Sequence, residues 1–482
     1  MKKSTKTLMH CGIALVLGLI FGLGLQNAGN GLTVIGAHTL GVIIATIYLW
    51  LTVGTEWPTL LFMGMLIMTT AMTDTDVWAG SLGHYSVISI IVFMILNYCL
   101  MQTGVIDKIC SWFITRKIVR NRPIVFIFMF LASMMIIGLF MENLSLAIIY
   151  VGIAEVLCAK IGIKKGDQMY TCMFLGVIWV DCVISIASPI AHAPCLILMG
   201  MMESQMGITI SYGQWLAIGI PFAIIMLFVI ALAIAIWRPD TTAYVNYDIE
   251  VEKKEMAQKP LTLRGKLTAI IFLACIVMIL LPTLVENVLP NFSSYWTTVD
   301  VVVPAIIAVA LLCIIHIDGE PLCDIKAAYK SIPLSAAIFA GVVSLMSTPI
   351  NSEATGISTW LGNILQPVFS GLPPFLILII LALLALVMTN FVSNIVTMVL
   401  FFNIGLALLS GGTINMGMFA MLIGICSAMA VCTPSACAPM PLIFGPGHVT
   451  MKNSIKLNLI FIVFTFIVIL AYCIPVVPLI LG

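Results

Sequence analysis

The chain has 482 residues, of which 62% are hydrophobic and 9% charged, with a formal net charge of +1. A mean hydropathy of +1.18 and a charged fraction far below the roughly 25% of ordinary domains exclude a soluble globular protein. Apolar stretches recur from end to end without the period-two alternation of barrel strands, which leaves an all-α polytopic membrane protein.

The positive charges set the path. All 21 Lys and Arg residues fall into six clusters: Lys2/Lys3/Lys6; Lys108/Arg116/Lys117/Arg120/Arg122; Lys160/Lys164/Lys165; Arg238/Lys253/Lys254/Lys259/Arg264/Lys266; Lys326/Lys330; and Lys452/Lys456. Basic residues collect on the cytoplasmic side, so each cluster is placed inside and the apolar segments are threaded between them. The run Met9–Leu25 behind the first cluster is long for a signal peptide and precedes no small-x-small cleavage site, so it reads as a retained span. Spans follow at 9–27, 33–53, 58–73 and 85–103, then a segment 123–159 that leaves and returns to the cytoplasmic face. A broken segment 168–200 and a span 212–237 lead to the polar loop 238–266, too short to be a domain. Beyond it come 267–287, 300–317 and 331–349, a segment 372–410 that leaves and returns to the outer face, a broken segment 414–446 and a span 455–478. The result is eleven helices crossing the membrane and two hairpins, with the N-terminus cytoplasmic and the C-terminus outside. A multi-pass protein of an inner or plasma membrane is expected. The 14 cysteines lie scattered in apolar segments without CxxC or Cys/His metal spacing and read as small core residues.

The two halves repeat one another. Thr103-Gly104-Val105 and Thr355-Gly356-Ile357 each open an amphipathic stretch. Each is followed by a hairpin with a polar centre, Glu142-Asn143-Leu144-Ser145 and then Ser393-Asn394-Ile395-Val396-Thr397. Each hairpin is followed by an apolar segment broken by two prolines: Ser188-Pro189-Ile190-Ala191-His192-Ala193-Pro194, then Thr433-Pro434-Ser435-Ala436-Cys437-Ala438-Pro439. The offsets are 252 (355 − 103), 251 (394 − 143) and 245 (433 − 188) residues. Three matches in order, with opposite membrane orientation, point to an inverted repeat and to alternating access around a site between the repeats. A proline pair alone would signify a kinked bundle helix. Paired and in register, the breaks point to carbonyls freed toward protein, ions or water. Length and parity allow either two full spans or a re-entrant hairpin at 123–159.

These motifs resemble the divalent anion:sodium symporter family, part of a wider superfamily of carboxylate and sulfate carriers, over essentially the whole chain. Thr389-Asn390-Phe391-Val392-Ser393-Asn394 is similar to the family's Thr-Glu-Phe-x-Ser-Asn-Thr tip, and Ala187-Ser188-Pro189, Gln214-Trp215 and Gly219-Ile220-Pro221 also match its pattern. The resemblance implies two re-entrant hairpins, two discontinuous helices, a homodimer, and an elevator-like transport domain moving past a scaffold. Segments 1–122 and 267–371 would form the scaffold, 238–266 the linker, and 123–237 and 372–482 the transport domain. The chain departs from the family at the first tip, where Glu142-Asn143-Leu144 replaces Ser-Asn-Thr. It departs also at the second, where Ile395 replaces the threonine; Ser145 and Thr397 stand nearby. His192 and Cys437 occupy the neighbourhood of the family's asparagines.

Asn143 and Asn394 read as N-caps of the returning arms, whose free N–H groups suit a carboxylate. A small organic anion is therefore the expected substrate, held by Asn143, Ser145, Pro189, His192, Asn394, Thr397 and Pro434. Sodium prefers oxygen ligands, and Glu142, Asn143, Ser188, Thr389, Ser393, Asn394 and Thr433 are the candidates, the second-half set being closer to the family's. Glu142, costly at mid-membrane, has three readings: cation ligand, carrier of a coupled proton, or helix cap. His192 reads as a partner of Glu142, as a cation facing the substrate, or as an ordinary hydrogen-bonded residue. Asp181 and Glu155 rank below Glu142. Proton coupling or exchange through Glu142 and His192 is the alternative to sodium. The sequence carries no HExxH, acidic-pair or GxxxxGKS motif for a membrane-embedded enzyme or nucleotide-driven pump. Broken helices argue against a channel, and short membrane-flanking basic clusters argue against nucleic-acid binding. Beyond the coupling ion, no cofactor is expected.

Overall fold

Proline and glycine decide where the helices of this chain stop. The computed structural model describes residues 3–481 apart from 55, 191, 258–259, 286–287, 298, 300–301, 333, 370, 392, 434–435, 438 and 445. The first half runs through α1 (Lys3–Gly24), α2 (Val34–Thr52), α3 (Glu56–Met68), α4 (Asp74–Ser81), α5 (Tyr85–Met101) and α6 (Val105–Ile114). Then come the hairpin α7 (Pro123–Gly138) and α8 (Asn143–Ile161), the broken pair α9 (Gln168–Ala187) and α10 (Ala193–Met206), and α11 (Tyr212–Trp237). The linker carries α12 (Ile249–Ala257). The second half has α13 (Leu263–Val285), α14 (Pro290–Thr297) and α15 (Val302–Ile314). A small β-turn ribbon follows, β1 (His316–Ile317) with β2 (Glu320–Pro321), and then α16 (Ile325–Ser331), α17 (Leu334–Asn351) and α18 (Ile357–Phe369). The hairpin α19 (Pro374–Met388) and α20 (Asn394–Leu409), the broken pair α21 (Met416–Ala428) and α22 (Met440–Phe444), and α23 (Met451–Leu481) complete it.

By length and composition, six helices among the described residues can cross a membrane, or seven if the bent pair α5–α6 counts as one. The eleven expected from charge placement include shorter apolar helices such as α2, α3, α15, α17 and α21.

The repeat is visible in local geometry. Gly104 and Gly356 both take a left-handed backbone, with φ of 70° and 63°. The preceding threonine hydroxyl accepts the next N–H in each case, Val105 to Thr103 at 3.1 Å and Ile357 to Thr355 at 3.5 Å. A helix of the opposite half packs on each corner through a glycine. A Cβ on Gly36 of α2 would stand 1.8 Å from the Thr355 carbonyl, and one on Gly265 of α13 would stand 2.8 Å from that of Thr103. The halves therefore interlock, each covering the other's bend.

The core lies along α9 and α21. Every α9 residue from Met169 to Ala187 is buried, as is α21 from Gly417 to Ala428, whereas α1 exposes Leu15, Ile20 and Leu23. The broken helices are thus central and α1 is peripheral. The hairpins end at depth. The link 162–167 sets the ends of α8 and α9 side by side, and the first tip bonds Asp181, thirteen residues up α9. At 1.5 Å per residue that is about 20 Å along the helix, and the chain continues through α10. The second tip bonds Ser427, eleven residues up α21 and about 17 Å along. Arms of 16 residues in α7 and 15 in α19 span about 24 and 22 Å, short of about 30 Å of hydrocarbon. The returning arm α8, with 19 residues, is long enough to cross, and both hairpins set their tips against the broken helices.

The corners make a paired test. Gly104→Ala adds a Cβ with nothing within 4 Å, so it costs only the left-handed penalty of about 1–2 kcal/mol. At Gly356 the Cβ would lie 1.9 Å from the Gly31 carbonyl, adding an overpacking cost of about 1–3 kcal/mol. Thermal unfolding in detergent should show the larger loss for Gly356→Ala. Equal losses would contradict the interlock.

Candidate functional site

A helix that stops inside a membrane leaves peptide groups to be satisfied by other elements. At the second break, Asn390 of the hairpin tip turns inward, and its Oδ1 accepts the N–H groups of Val431 and Cys432, both at 2.8 Å. Its Nδ2 donates to Leu386 at 2.7 Å, which fixes the amide orientation. The Thr433 hydroxyl donates to the Asn390 carbonyl at 2.5 Å. The Thr389 hydroxyl lies against the Ser427 carbonyl and 3.1 Å from Asn394 Oδ1, while Asn394 Nδ2 donates to the Ala428 carbonyl at 3.4 Å. From α23, Asn458 Nδ2 reaches the Val431 carbonyl, and its Oδ1 accepts the Trp179 indole N–H at 2.7 Å. The first break has a parallel: the Trp215 indole of α11 donates to the Ile186 carbonyl at 3.0 Å. In each half the closing helix binds a carbonyl at the end of the interrupted one.

The first tip is acidic. Glu142 occupies the N-cap position of α8, its Oε1 accepting Leu144 N–H at 2.9 Å and its Oε2 accepting Ser145 N–H at 2.7 Å. Asn143, expected at the cap, is the first helical residue and donates from Nδ2 to Asp181 Oδ2 at 3.2 Å. Asn394 is likewise inside α20, with Ser393 at the cap. Both asparagine caps are thus corrected by one position. The residue before each asparagine is the last with an extended ψ, 130° at Glu142 and 134° at Ser393, so it occupies the half-helical place. Ser393 makes no capping bond. Of the other candidates, Ser145 is half-buried, Ser188 Oγ accepts Ile190 N–H at 3.2 Å, and Pro189 is buried in the break. Thr397 is buried with no partner for its hydroxyl among the described residues. Pro434 lies outside the described residues.

His192 is fully buried between the first break and the first tip. Backbone of Ser188, Ile190 and Met141 surrounds its ring, yet neither ring nitrogen has a hydrogen-bond partner among the described residues. It forms no bond with Glu142. Asp181 is more central than its rank in the sequence suggested: it is 1% exposed, contacts the tip through Asn143, and keeps Oδ1 without a partner. The Asp181, Cys182 and Cys437 ligand atoms lie within 4.8 Å of one another, and the Cys182 thiol donates to the Ala430 carbonyl at 3.5 Å. Contacts therefore run from the first tip to the second break, from Asn143 through Asp181 and the adjacent Cys182 to Ala430. Glu155 is elsewhere. Its carboxylate is 3.1 Å from Nε2 of His448 in the loop before α23, and Tyr170 OH reaches Nδ1 of that ring at 2.7 Å. Burial, with Lys165, holds the His448 imidazole below its ordinary range against the pull of Glu155. At neutral pH the contact is a hydrogen bond from a neutral ring.

Two helical hairpins meeting two broken helices around buried polar groups define a polytopic helical membrane protein. The chain belongs to the family described as sodium:sulfate symporter transmembrane region, which it matches over residues 6–479. It is also similar to the L-tartrate/succinate antiporter of Escherichia coli (strain K12), 24% identical over 293 residues covering 60% of this chain and 56% of that protein. The L-tartrate/succinate antiporters of Shigella boydii serotype 4 (strain Sb227) and Shigella flexneri match with the same identity and coverage. The chain thus spans little more than half the length of the curated relatives it matches.

Asn390, Asn458 and Trp215 are the residues missed as mediators of the site, and Asp181 was ranked too low. Asn390→Ala leaves the Val431 and Cys432 N–H groups unpaired, at about 1–3 kcal/mol each. The variant should lose at least about 2 kcal/mol of stability in denaturant or thermal titration in detergent. Melting like the unaltered protein would show that the tip does not hold the break.

Proposed function

We propose that the protein is a secondary active transporter of small organic carboxylates, coupled to sodium at the second tip and working by elevator-type alternating access. The observation that carries the reading is the bonding of the second tip to the second break and of the first tip to Asp181 within the first broken helix. That builds an occluded polar centre rather than a pore. Segments 123–237 and 372–482 are the moving part in this reading, 1–122 and 267–371 the scaffold of a homodimer, and 238–266 the linker.

Sodium coupling is supported by an excess of oxygens at the second tip. Thr389 Oγ1, Asn394 Oδ1, the Ser427 and Ala428 carbonyls and the Thr433–Asn390 pair converge there, and the hydroxyl protons are too few to engage every lone pair. Such a set suits a hard cation. Exchange is the second reading. It is favoured by the name of the antiporter relatives and by the acidic first tip, where Glu142 and Asp181 share Asn143 as neighbour.

The experiment is uptake of labelled succinate, L-tartrate, citrate and sulfate into proteoliposomes, with a sodium gradient, a proton gradient and internal exchange substrate applied separately. Carboxylate uptake driven by inward sodium is expected. Thr389→Val should reduce the apparent sodium affinity by about tenfold, the effect of one lost interaction of about 1.4 kcal/mol. Uptake indifferent to sodium but dependent on internal substrate would replace symport by exchange.

A further inference from the structure

The two tips have the same backbone and different occupants. Glu142 has φ −58° and ψ 130°, and Ser393 has φ −50° and ψ 134°. At α8 the Leu144 and Ser145 N–H groups are filled by the two oxygens of Glu142, the bonding a ligand carboxylate would otherwise form there. At α20 no side chain caps the equivalent groups. We propose that the site accepts a carboxylate of single charge, its ionised end against the start of α20 and an uncharged, hydrogen-bond-donating end toward Glu142 and Asp181. This rests on the transport reading above and narrows its substrate.

The start of α20 has a second mark of a ligand. The Thr397 hydroxyl, in the first turn, is wholly buried and has no partner among the described residues. A helical side chain leans toward the N-terminus of its helix, so this hydroxyl is directed back to the same opening. The Ser427 hydroxyl, at the end of α21 against which the tip packs, is also buried and has no partner among the described residues. Both are neutral donors suited to a carboxylate.

The opposite end repels one. The titratable groups around the first tip are Glu142 on the tip, Asp181 and Cys182 on α9, His192 in the first break, and Cys437 beyond the second. Along the hairpin the nearest basic residues are Arg122 and Lys160, each about 25 Å from the tip by helix rise. A second negative charge on the ligand would face the Glu142 carboxylate, with Arg122 and Lys160 the nearest basic residues along the hairpin, and that repulsion is strong where water is scarce. An amide, hydroxyl or protonated carboxyl can instead donate to Asp181 Oδ1, a buried oxygen without a partner among the described residues. A dicarboxylate therefore enters as its monoanion, carrying its own proton.

Succinate and its monoamide, succinamate, differ only in the charge of one end and are the probes. At alkaline pH, proteoliposomes with the unaltered protein should take up succinamate about tenfold better than succinate, a difference of about 1.4 kcal/mol. Acidification should raise succinate uptake and leave succinamate unchanged. Glu142→Gln should narrow the preference by about tenfold and flatten the pH profile of succinate, while Glu142→Asp, which keeps a charged cap, should retain both. Preference for succinate at alkaline pH, or the same ratio in Glu142→Gln, overturns the proposal and leaves carboxylate transport standing. Should Glu142→Gln not fold, the pH profiles of the unaltered protein and of Glu142→Asp decide. Uptake of neither probe, nor of any other anion tested, overturns the transport reading itself.

Discussion

An unpaired peptide group in hydrocarbon costs several kcal/mol, and this chain interrupts two buried helices at depth. The rest of the site follows from that cost. Trp215 and Asn458 come from the closing helices, and Asn390, Thr389 and Asn394 from the second hairpin, to occupy groups that α9 and α21 leave exposed. The repair is made between elements rather than within one. Hairpin, broken helix and closing helix are consequently bound together in each half, and Cys182 against Ala430 joins the two halves at their breaks.

The repair is unequal. The second break is held by amide and hydroxyl groups, which bind carbonyls without adding charge and leave oxygen lone pairs facing inward. The first tip is held by a carboxylate on its own helix N-terminus, an arrangement in which the dipole and two N–H groups stabilise the charge. Asp181 adds a second buried carboxyl group, whose Oδ2 accepts the Asn143 amide. One ancestral unit thus appears twice with opposite electrostatic finish, neutral and oxygen-rich on one side, acidic on the other.

Much of the architecture was legible because the chain marks it locally. A glycine after threonine, repeated at 104 and 356, signals a left-handed corner, and the proline pairs signal the breaks. The helix cap among the readings of Glu142 corresponds to its observed bonds. The cap positions were displaced by one, since asparagine is the commoner cap and nothing local reveals that the preceding residue keeps an extended ψ. The mediators were not legible. Asn390 acts 41 residues away and Asn458 acts 27 residues away, and an asparagine in an apolar helix does not announce which distant carbonyl it will meet. Asp181 was ranked low for the same reason, its contact with the tip being 38 residues distant.

The inequality of the tips gives the two halves different parts in the proposed cycle. Charge at α8 is already balanced by the helix that carries it, so this tip needs no ligand to be stable. The start of α20 and the oxygens beside it lack that internal balance. A carboxylate against the N–H groups and a cation among the oxygens compensate each other only when both are present, since either alone leaves an uncompensated charge in a dry site. Coupling of the two ligands then follows from electrostatics in the second half alone. In the proposed cycle the first half keeps the Glu142 carboxylate on its own helix start, and that group governs what stands opposite it.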